Sequence, residues 1–150
     1  MIWPPGKSKA VALVGVTYAV ALGVAVAVGL LARELWPALH PLWVVALADL
    51  AATVVVFVAS VLADNSSFYD PYWSLQPLAI AGYLLWLAPA SACGSRQLLV
   101  VAPVVLWGAR LTFNWLRGWR GLGHEDWRYV DIRGWSGRWY WPTTAGPIAT

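Results

Sequence analysis

The most constraining feature of the sequence is a run of 23 residues without a charge, AVALVGVTYAVALGVAVAVGLLA, at positions 10–32. A helix rises ~1.5 Å per residue, so this run would be about 34 Å long, enough to cross a hydrocarbon core of ~30 Å. A cleaved signal peptide is the alternative, because AVA at 25–27 fits a cleavage site, but the apolar part of such a peptide has only ~7–15 residues. The run therefore predicts a membrane-spanning helix.

Three further apolar runs follow, at residues 42–63, 77–93 and 97–117. Trp36 and Trp43 stand at the entry of the second run as interfacial anchors, and Pro103 would kink the last one. Hydrophobic residues make up 60% of the chain and charged residues 11%, which leaves too little polar surface for a soluble domain. The sequence predicts an all-α, polytopic membrane helix bundle: one membrane domain of about four spans, with a Trp- and Arg-rich interfacial segment at 118–150.

The charge pattern bears on orientation and partners. The formal net charge is +3, but the basic residues are thinly spread beside apolar spans, so membrane lipids fit better than nucleic acid. Lys7 and Lys9 precede the first span, and Arg117 and Arg120 end the fourth. The positive-inside rule therefore predicts a multi-pass inner-membrane protein with both termini, and loop 64–76, in the cytoplasm.

Small residues recur every four positions in the first span, at Gly15, Ala19, Gly23 and Ala27. This spacing places them on one helix face, where another helix can approach closely. The stripe predicts helix–helix association, although packing without a specific partner explains it almost as well.

Two polar segments interrupt the apolar chain: DNSSFYDPYWSLQP at 64–77 and GLGHEDWRYVDIR at 121–133. The predicted topology brings them to the same membrane face. The first segment offers carboxylates, phenols and amides that can bind a headgroup or donate a proton. Local chemistry alone favours an ordinary turn, with Asp64 or Asn65 as a helix cap and Asp70-Pro71 as the turn start.

The last span carries a polar face of its own. Arg110, Asn114 and Arg117 follow i, i+4, i+7 spacing and so lie on one side of the helix, facing the headgroups or an anionic ligand. With two histidines and one cysteine, the chain has too few ligands of these types for a metal site, and none is predicted. HEDWR at 124–128 is not a zinc-protease motif either, because Arg128 stands where the second histidine belongs.

Together, NSSFYDPYWSLQP, ARLTFNWLRGWRGLGHEDWRYVDIR and GRWYW resemble a bacterial membrane family of unknown function related to the steroid 5-alpha-reductases. The resemblance covers roughly residues 42–141. It implies a helical bundle open to the cytoplasm that binds NADPH and delivers hydride to a carbon–carbon double bond conjugated with a carbonyl. The implied substrate is an apolar enone dissolved in the membrane, such as a sterol or isoprenoid.

Carried onto this chain, the resemblance assigns two groups of residues. The candidates for polarising the substrate carbonyl are Asp70, Tyr69 and Tyr72. The candidates for contacting the cofactor are Asn114, Arg117, Arg120, Glu125, Asp126 and Arg128, with His124 beside them. An interfacial cap held by mutual ion pairs is the alternative for the acidic and basic cluster.

The sequence departs from the family after Trp141, because further helices carrying a His-Pro-Asn-Tyr-like box are absent from it. We therefore expect the amino-terminal part of such a protein, which does not reduce a substrate on its own. Two other hypotheses remain open: a non-catalytic membrane scaffold, and a lipid methyltransferase that uses S-adenosylmethionine.

Overall fold

The computed structural model describes residues 6–89 and 91–145, and all of the regular structure within these ranges is helical. The six α-helices of the described residues are α1 (Lys7–Leu35), α2 (Pro41–Leu62), α3 (Tyr72–Leu87), α4 (Gly94–Gly118), α5 (Trp127–Ser136) and α6 (Tyr140–Ala145), with 3₁₀ turns at Ser66–Phe68 and Gly137–Trp139. Three of them, α1, α2 and α4, are long and apolar enough to cross a membrane. The predicted fold class, an all-α membrane helix bundle, is confirmed.

The described residues form two compact units. The first unit contains residues 6–69 and 119–145, and the second contains residues 70–118. The second unit is thus inserted in sequence between the two parts of the first.

In the first unit, α1 and α2 pack against each other as a helical hairpin. A short connection at 36–40 separates them, and the His40 side chain caps α2 by accepting a hydrogen bond from the Leu42 N–H at 3.3 Å. Near this connection the helices approach closely, since a Cβ at Gly29 would lie 3.7 Å from Val44 and 3.9 Å from Ala48. The buried face of the hairpin includes Ala10, Val14, Ala21, Ala32, Val44, Ala52 and Val56.

The small-residue stripe of α1 does not form this contact. Gly15, Ala19, Gly23 and Ala27 are all exposed, and a Cβ at Gly15 or Gly23 would meet no described atom within 4 Å. The helix approach at Gly29 lies on a different face of α1. The predicted association of the stripe with another helix stays a prediction.

In the second unit, α3 and α4 pack as a pair. Their closest approach is at Gly108 of α4, where a Cβ would lie 2.6 Å from the Ser74 carbonyl oxygen. The Ser74 hydroxyl also forms a 2.8 Å hydrogen bond with the Thr112 hydroxyl. Glycine is required at position 108 because any side chain would collide with the backbone of α3.

The third predicted span has different bounds in the structure. Helix α3 begins at Tyr72, five residues before Pro77, and ends at Leu87, whereas the prediction ran from 77 to 93. Proline costs a helix one hydrogen bond on its amino-terminal side, and here that loss falls near the start of α3, where the helix tolerates it. With 16 residues, about 24 Å, α3 is shorter than the three helices that can cross a membrane.

Candidate functional site

After α2 the chain turns back along the hairpin instead of leaving it. We call residues 65–69 the re-entrant segment; all five of its side chains are buried. The Tyr69 hydroxyl forms a hydrogen bond with Thr53, which lies nine residues, about 14 Å, before the end of α2. The Tyr18 hydroxyl of α1 donates to the Phe68 carbonyl oxygen at 2.8 Å. Part of loop 64–76 therefore lies beside the membrane-spanning helices.

Non-helical backbone at membrane depth is stable only where protein groups satisfy its polar atoms. Residues 119–126, which we call the cover segment, supply these groups. The Asn65 side-chain amide donates to the carbonyl oxygens of Leu122 and His124 at 2.8 and 3.1 Å. The Asp126 N–H donates to the Ser67 hydroxyl at 2.7 Å. The two polar segments are therefore in contact through these residues, and their predicted position on the cytoplasmic face stays a prediction.

Glu125 is the centre of the contact between the two segments, and its side chain is only 13% exposed. Its Oε1 accepts hydrogen bonds from the Ser66 N–H at 2.7 Å, the Tyr140 hydroxyl at 3.2 Å and the Arg133 guanidinium at 3.2 Å. Arg133 also pairs with Asp64, with Nη1 2.8 Å from Oδ1. Five residues from three parts of the chain thus share one carboxylate-centred network, which we call the Glu125 network.

Aromatic groups complete the Glu125 network. The Arg133 guanidinium lies over the Tyr140 ring, 4.1 Å from its centroid, and the Tyr140 hydroxyl also shares a hydrogen bond with the Ser66 hydroxyl. Burial raises the pKa of Tyr140, with the Glu125 charge adding to the effect. For Arg133, partial burial opposes the charged form, but the bonds to Asp64 and Glu125 prevail and raise its pKa. At neutral pH the network is therefore an ion pair beside an uncharged phenol.

Asp126 has a separate role at the start of α5. Its Oδ1 accepts hydrogen bonds from the Arg128 backbone N–H at 3.0 Å and from the Arg128 Nε at 2.7 Å. Asp126 therefore caps the helix, a position where aspartate is strongly preferred. The hydrogen bond from the Arg128 side chain is the main reason why the pKa of Asp126 is lowered.

Tyr69 is the candidate residue with the most distinctive surroundings in the first unit. Its side chain is 5% exposed, and burial among apolar helices raises the pKa of the phenol. The Thr53 hydrogen bond acts in the opposite direction, and the charge of Asp49 raises the pKa further. Tyr69 is thus held as a neutral phenol, a group that can donate a hydrogen bond to a carbonyl oxygen.

The remaining candidates divide between the two units. Asp70, Tyr72, Asn114 and Arg117 belong to the second unit, where Tyr72 is buried, Asp70 is half-buried, and Asn114 and Arg117 are exposed. Arg120 belongs to the first unit and is exposed.

Glu125, Asp126 and Arg128, three of the predicted cofactor contacts, have partners within the chain. Both Glu125 oxygens accept hydrogen bonds within the chain, and Arg128 is paired with Asp126. These contacts instead match the alternative interpretation of the cluster, a cap held by mutual ion pairs. Among the predicted cofactor contacts, the exposed ones are Asn114, Arg117 and Arg120.

Sequence reasoning did not identify Arg133, Tyr140, Ser66 or Thr53 as members of a functional cluster. Arg133 was visible in the second polar segment, but no spacing rule pairs a glutamate with an arginine eight residues later when the first lies outside the helix of the second. Within the part of the chain described here, no group of three or more His, Cys, Asp or Glu side chains is placed to hold a metal ion.

Comparison with known proteins identifies the chain at the level of a family. Residues 56–145 match the protein family of unknown function DUF1295, which is related to the steroid 5-alpha-reductases. An uncharacterized protein of Schizosaccharomyces pombe is 34% identical over 90 residues, which is 59% of this chain and 26% of that relative. The chain thus spans about a quarter of the relative's length. No solved structure matches it significantly. The family match extends over more than half of the chain, which belongs to the DUF1295 family.

Proposed function

We propose that this DUF1295 member works in the reduction of conjugated enones dissolved in the membrane, with Tyr69 polarising the substrate carbonyl. The observation that carries the proposal is the buried, neutral Tyr69 phenol, hydrogen-bonded to Thr53 within an apolar helical hairpin. The family relationship to the steroid 5-alpha-reductases supports the same class of reaction. A sterol-like or isoprenoid enone is the substrate class that suits such surroundings.

The chemistry requires a hydrogen-bond donor at the carbonyl oxygen. Reduction adds a hydride to the β-carbon of the enone, and the electron pair of the double bond moves toward the carbonyl oxygen. A proton then adds to the α-carbon. A phenol with a raised pKa stays protonated at neutral pH, so Tyr69 would stabilise the negative charge that develops on that oxygen. Thr53 would hold the phenol in place.

NADPH would supply the hydride. Within the first unit, which contains Tyr69, the predicted phosphate contact with an exposed side chain is Arg120. Arginine suits this role because its planar guanidinium matches phosphate oxygens in two-point contacts. The proposal leaves Glu125, Asp126 and Arg128 to their contacts within the chain.

Because this chain is expected not to reduce a substrate on its own, the test is NADPH-dependent loss of a steroid enone by the full chain reconstituted in lipid nanodiscs together with the remaining helices of a family relative. Tyr69→Phe should reduce turnover by ~10²–10⁴-fold, the usual contribution of acid–base catalysis. Tyr140→Phe is the matched control, because it removes a buried phenol hydroxyl from the Glu125 network and should change turnover little. Equal turnover in wild type and Tyr69→Phe, or no turnover at all, would contradict the proposal.

A non-catalytic membrane scaffold is the second candidate. One observation favours it: the acidic and basic residues of the cover segment and α5 bind one another rather than presenting a vacant set of charges. Thermal shift with NADPH and, separately, with S-adenosylmethionine distinguishes the candidates. Stabilisation by NADPH alone supports the reductase, stabilisation by S-adenosylmethionine supports a methyltransferase, and no shift with either supports the scaffold.

A further inference from the structure

Helix α5 and the 3₁₀ turn that follows it expose three tryptophans. Trp127, Trp135 and Trp139 are 70, 71 and 60% exposed, and Val130 between them is 53% exposed. Trp127, Val130 and Trp135 lie on the same half of the helix. The opposite half carries Arg133, which belongs to the Glu125 network. The helix therefore has one face fixed to the protein and one exposed face, on which Asp131 lies between the rings of Trp127 and Trp135.

The contacts of α5 fix its level relative to the membrane-spanning hairpin. Arg133 bonds to Asp64, which lies two residues after the end of α2. A few residues beyond α5, the Trp141 ring packs edge-on against Phe57 of α2, with 6.1 Å between centroids. The helix is thus held at the end of a membrane span, the depth at which the headgroups begin. Tryptophan is enriched at that depth because its ring is apolar and its N–H can hydrogen-bond.

This surface carries no net charge, because its two exposed charged side chains, Asp131 and Arg138, are one acid and one base. Arg128 is paired with Asp126, and Arg133 is paired with Asp64 and Glu125. The exposed indole rings are the dominant feature that remains, and insertion of apolar rings is the mechanism by which interfacial helices bind without strong electrostatic attraction.

We propose that the outer face of α5 and the 3₁₀ turn after it form a bilayer-docking surface, with Trp127, Trp135 and Trp139 inserted among the phospholipid headgroups at the end of α2. The docked helix holds the cover segment over the re-entrant segment through Arg133 and Glu125. This inference does not depend on the proposed reductase activity.

Spin labelling of the full chain in phosphatidylcholine nanodiscs tests the proposal. A nitroxide is attached to Val130→Cys in a Cys93→Ser background, and its collision rates with oxygen and with a water-soluble nickel chelate are compared. Oxygen partitions into lipid, so we expect the label to favour oxygen. Adding anionic phosphatidylglycerol should leave the depth of the label unchanged.

A matched variant, Trp127→Ser with Trp135→Ser, removes two exposed rings without touching the Glu125 network. The label at position 130 should then become accessible to the nickel chelate, while the melting temperature stays close to that of the labelled parent. A parent label that is already as accessible to nickel as one in water would overturn the proposal. So would a label shielded from both reagents, which indicates a protein partner, or one that enters the bilayer only when anionic lipid is present.

Discussion

The first and second units are held together by different interactions. In the first unit, segments distant in sequence meet through polar contacts: Glu125 alone joins the re-entrant segment, α5 and α6. In the second unit, α3 and α4 meet at a backbone contact that glycine permits, with one hydrogen bond between Ser74 and Thr112 beside it. The difference shows that polar residues concentrate where irregular backbone must be satisfied, whereas two regular helices need only close packing.

The largest expected effect is the loss of the Glu125 carboxylate. Glu125→Ala leaves the Ser66 N–H, the Tyr140 hydroxyl and part of the Arg133 guanidinium without their acceptor. Removing one partner of a buried ion pair typically costs about 3–5 kcal/mol of stability. Because Arg133 is partly exposed and keeps Asp64, we expect a loss of about 2–4 kcal/mol. Chemical denaturation of the chain in detergent micelles measures this loss.

Asp126→Ala is the control for that variant, because Asp126 is the neighbouring acid. Its carboxylate accepts hydrogen bonds at the start of α5, whereas its contact with the Ser67 hydroxyl is made by the backbone N–H and is kept in the variant. Loss of a helix cap costs about 1 kcal/mol. If Asp126→Ala destabilises the chain as much as Glu125→Ala does, the Glu125 network is not the main stabilising interaction between the segments of the first unit.

An added methyl group at the contact between α3 and α4 should lower the stability of the second unit. Gly108→Ala would place a Cβ 2.6 Å from the Ser74 carbonyl oxygen, so α3 and α4 must separate. Overpacking of this kind costs about 1–3 kcal/mol. Gly82→Ala in α3 is the matched control, because its Cβ would meet no described atom within 4 Å and alanine favours a helix. A neutral Gly108→Ala would show that the helices do not rely on this approach.

In the apolar hairpin of the first unit, a larger side chain should lower stability only on the face of α1 that contacts α2. Gly29→Leu crowds Val44 and Ala48 and should cost about 1–2 kcal/mol. Gly23→Leu, on the exposed small-residue stripe, should leave thermal stability unchanged. If instead Gly23→Leu lowers the melting temperature or changes the oligomeric state on sizing columns, the stripe has a helix partner.

The smallest expected effect appears at alkaline pH. The pKa of Tyr140 is raised in the folded chain, so the unfolded chain releases this proton first and binds fewer protons. The contribution of Tyr140 to stability is therefore complete below pH ~10, the usual tyrosine value, and is lost as the pH rises through its folded pKa. Tyr69 should behave in the same way.

Tyr140→Phe isolates that contribution. The variant should lose about 1 kcal/mol at neutral pH with its two hydrogen bonds, and its stability should fall less steeply than that of the wild type above pH ~10. Melting temperatures across an alkaline pH series, with tyrosinate absorbance recorded in parallel, give the comparison. Identical alkaline slopes in the two proteins would exclude Tyr140 as a group whose pKa is raised on folding.

Part of the site could be predicted because topology requires it. Because α1 and α2 form a hairpin, the residues before α1 and those after α2 lie at the same end of it. The polar sequence NSS, followed by aromatic residues, marks the end of α2. The partners of Glu125 could not be predicted in this way, because they are residues 66, 133 and 140, and no local spacing links them.

The sequence by itself determined that this is an all-α membrane protein of the DUF1295 type, because long uncharged runs have no other stable form in a bilayer and the polar motifs between them are specific. Tertiary structure alone decided that residues 65–69 fold back to Thr53, that the helix contact of α1 lies away from its small-residue stripe, and that Arg133 is the partner of Glu125. The physical reason is that hydropathy depends on composition within one segment. Hydrogen bonding inside a membrane protein depends instead on which distant segment supplies the missing donor or acceptor.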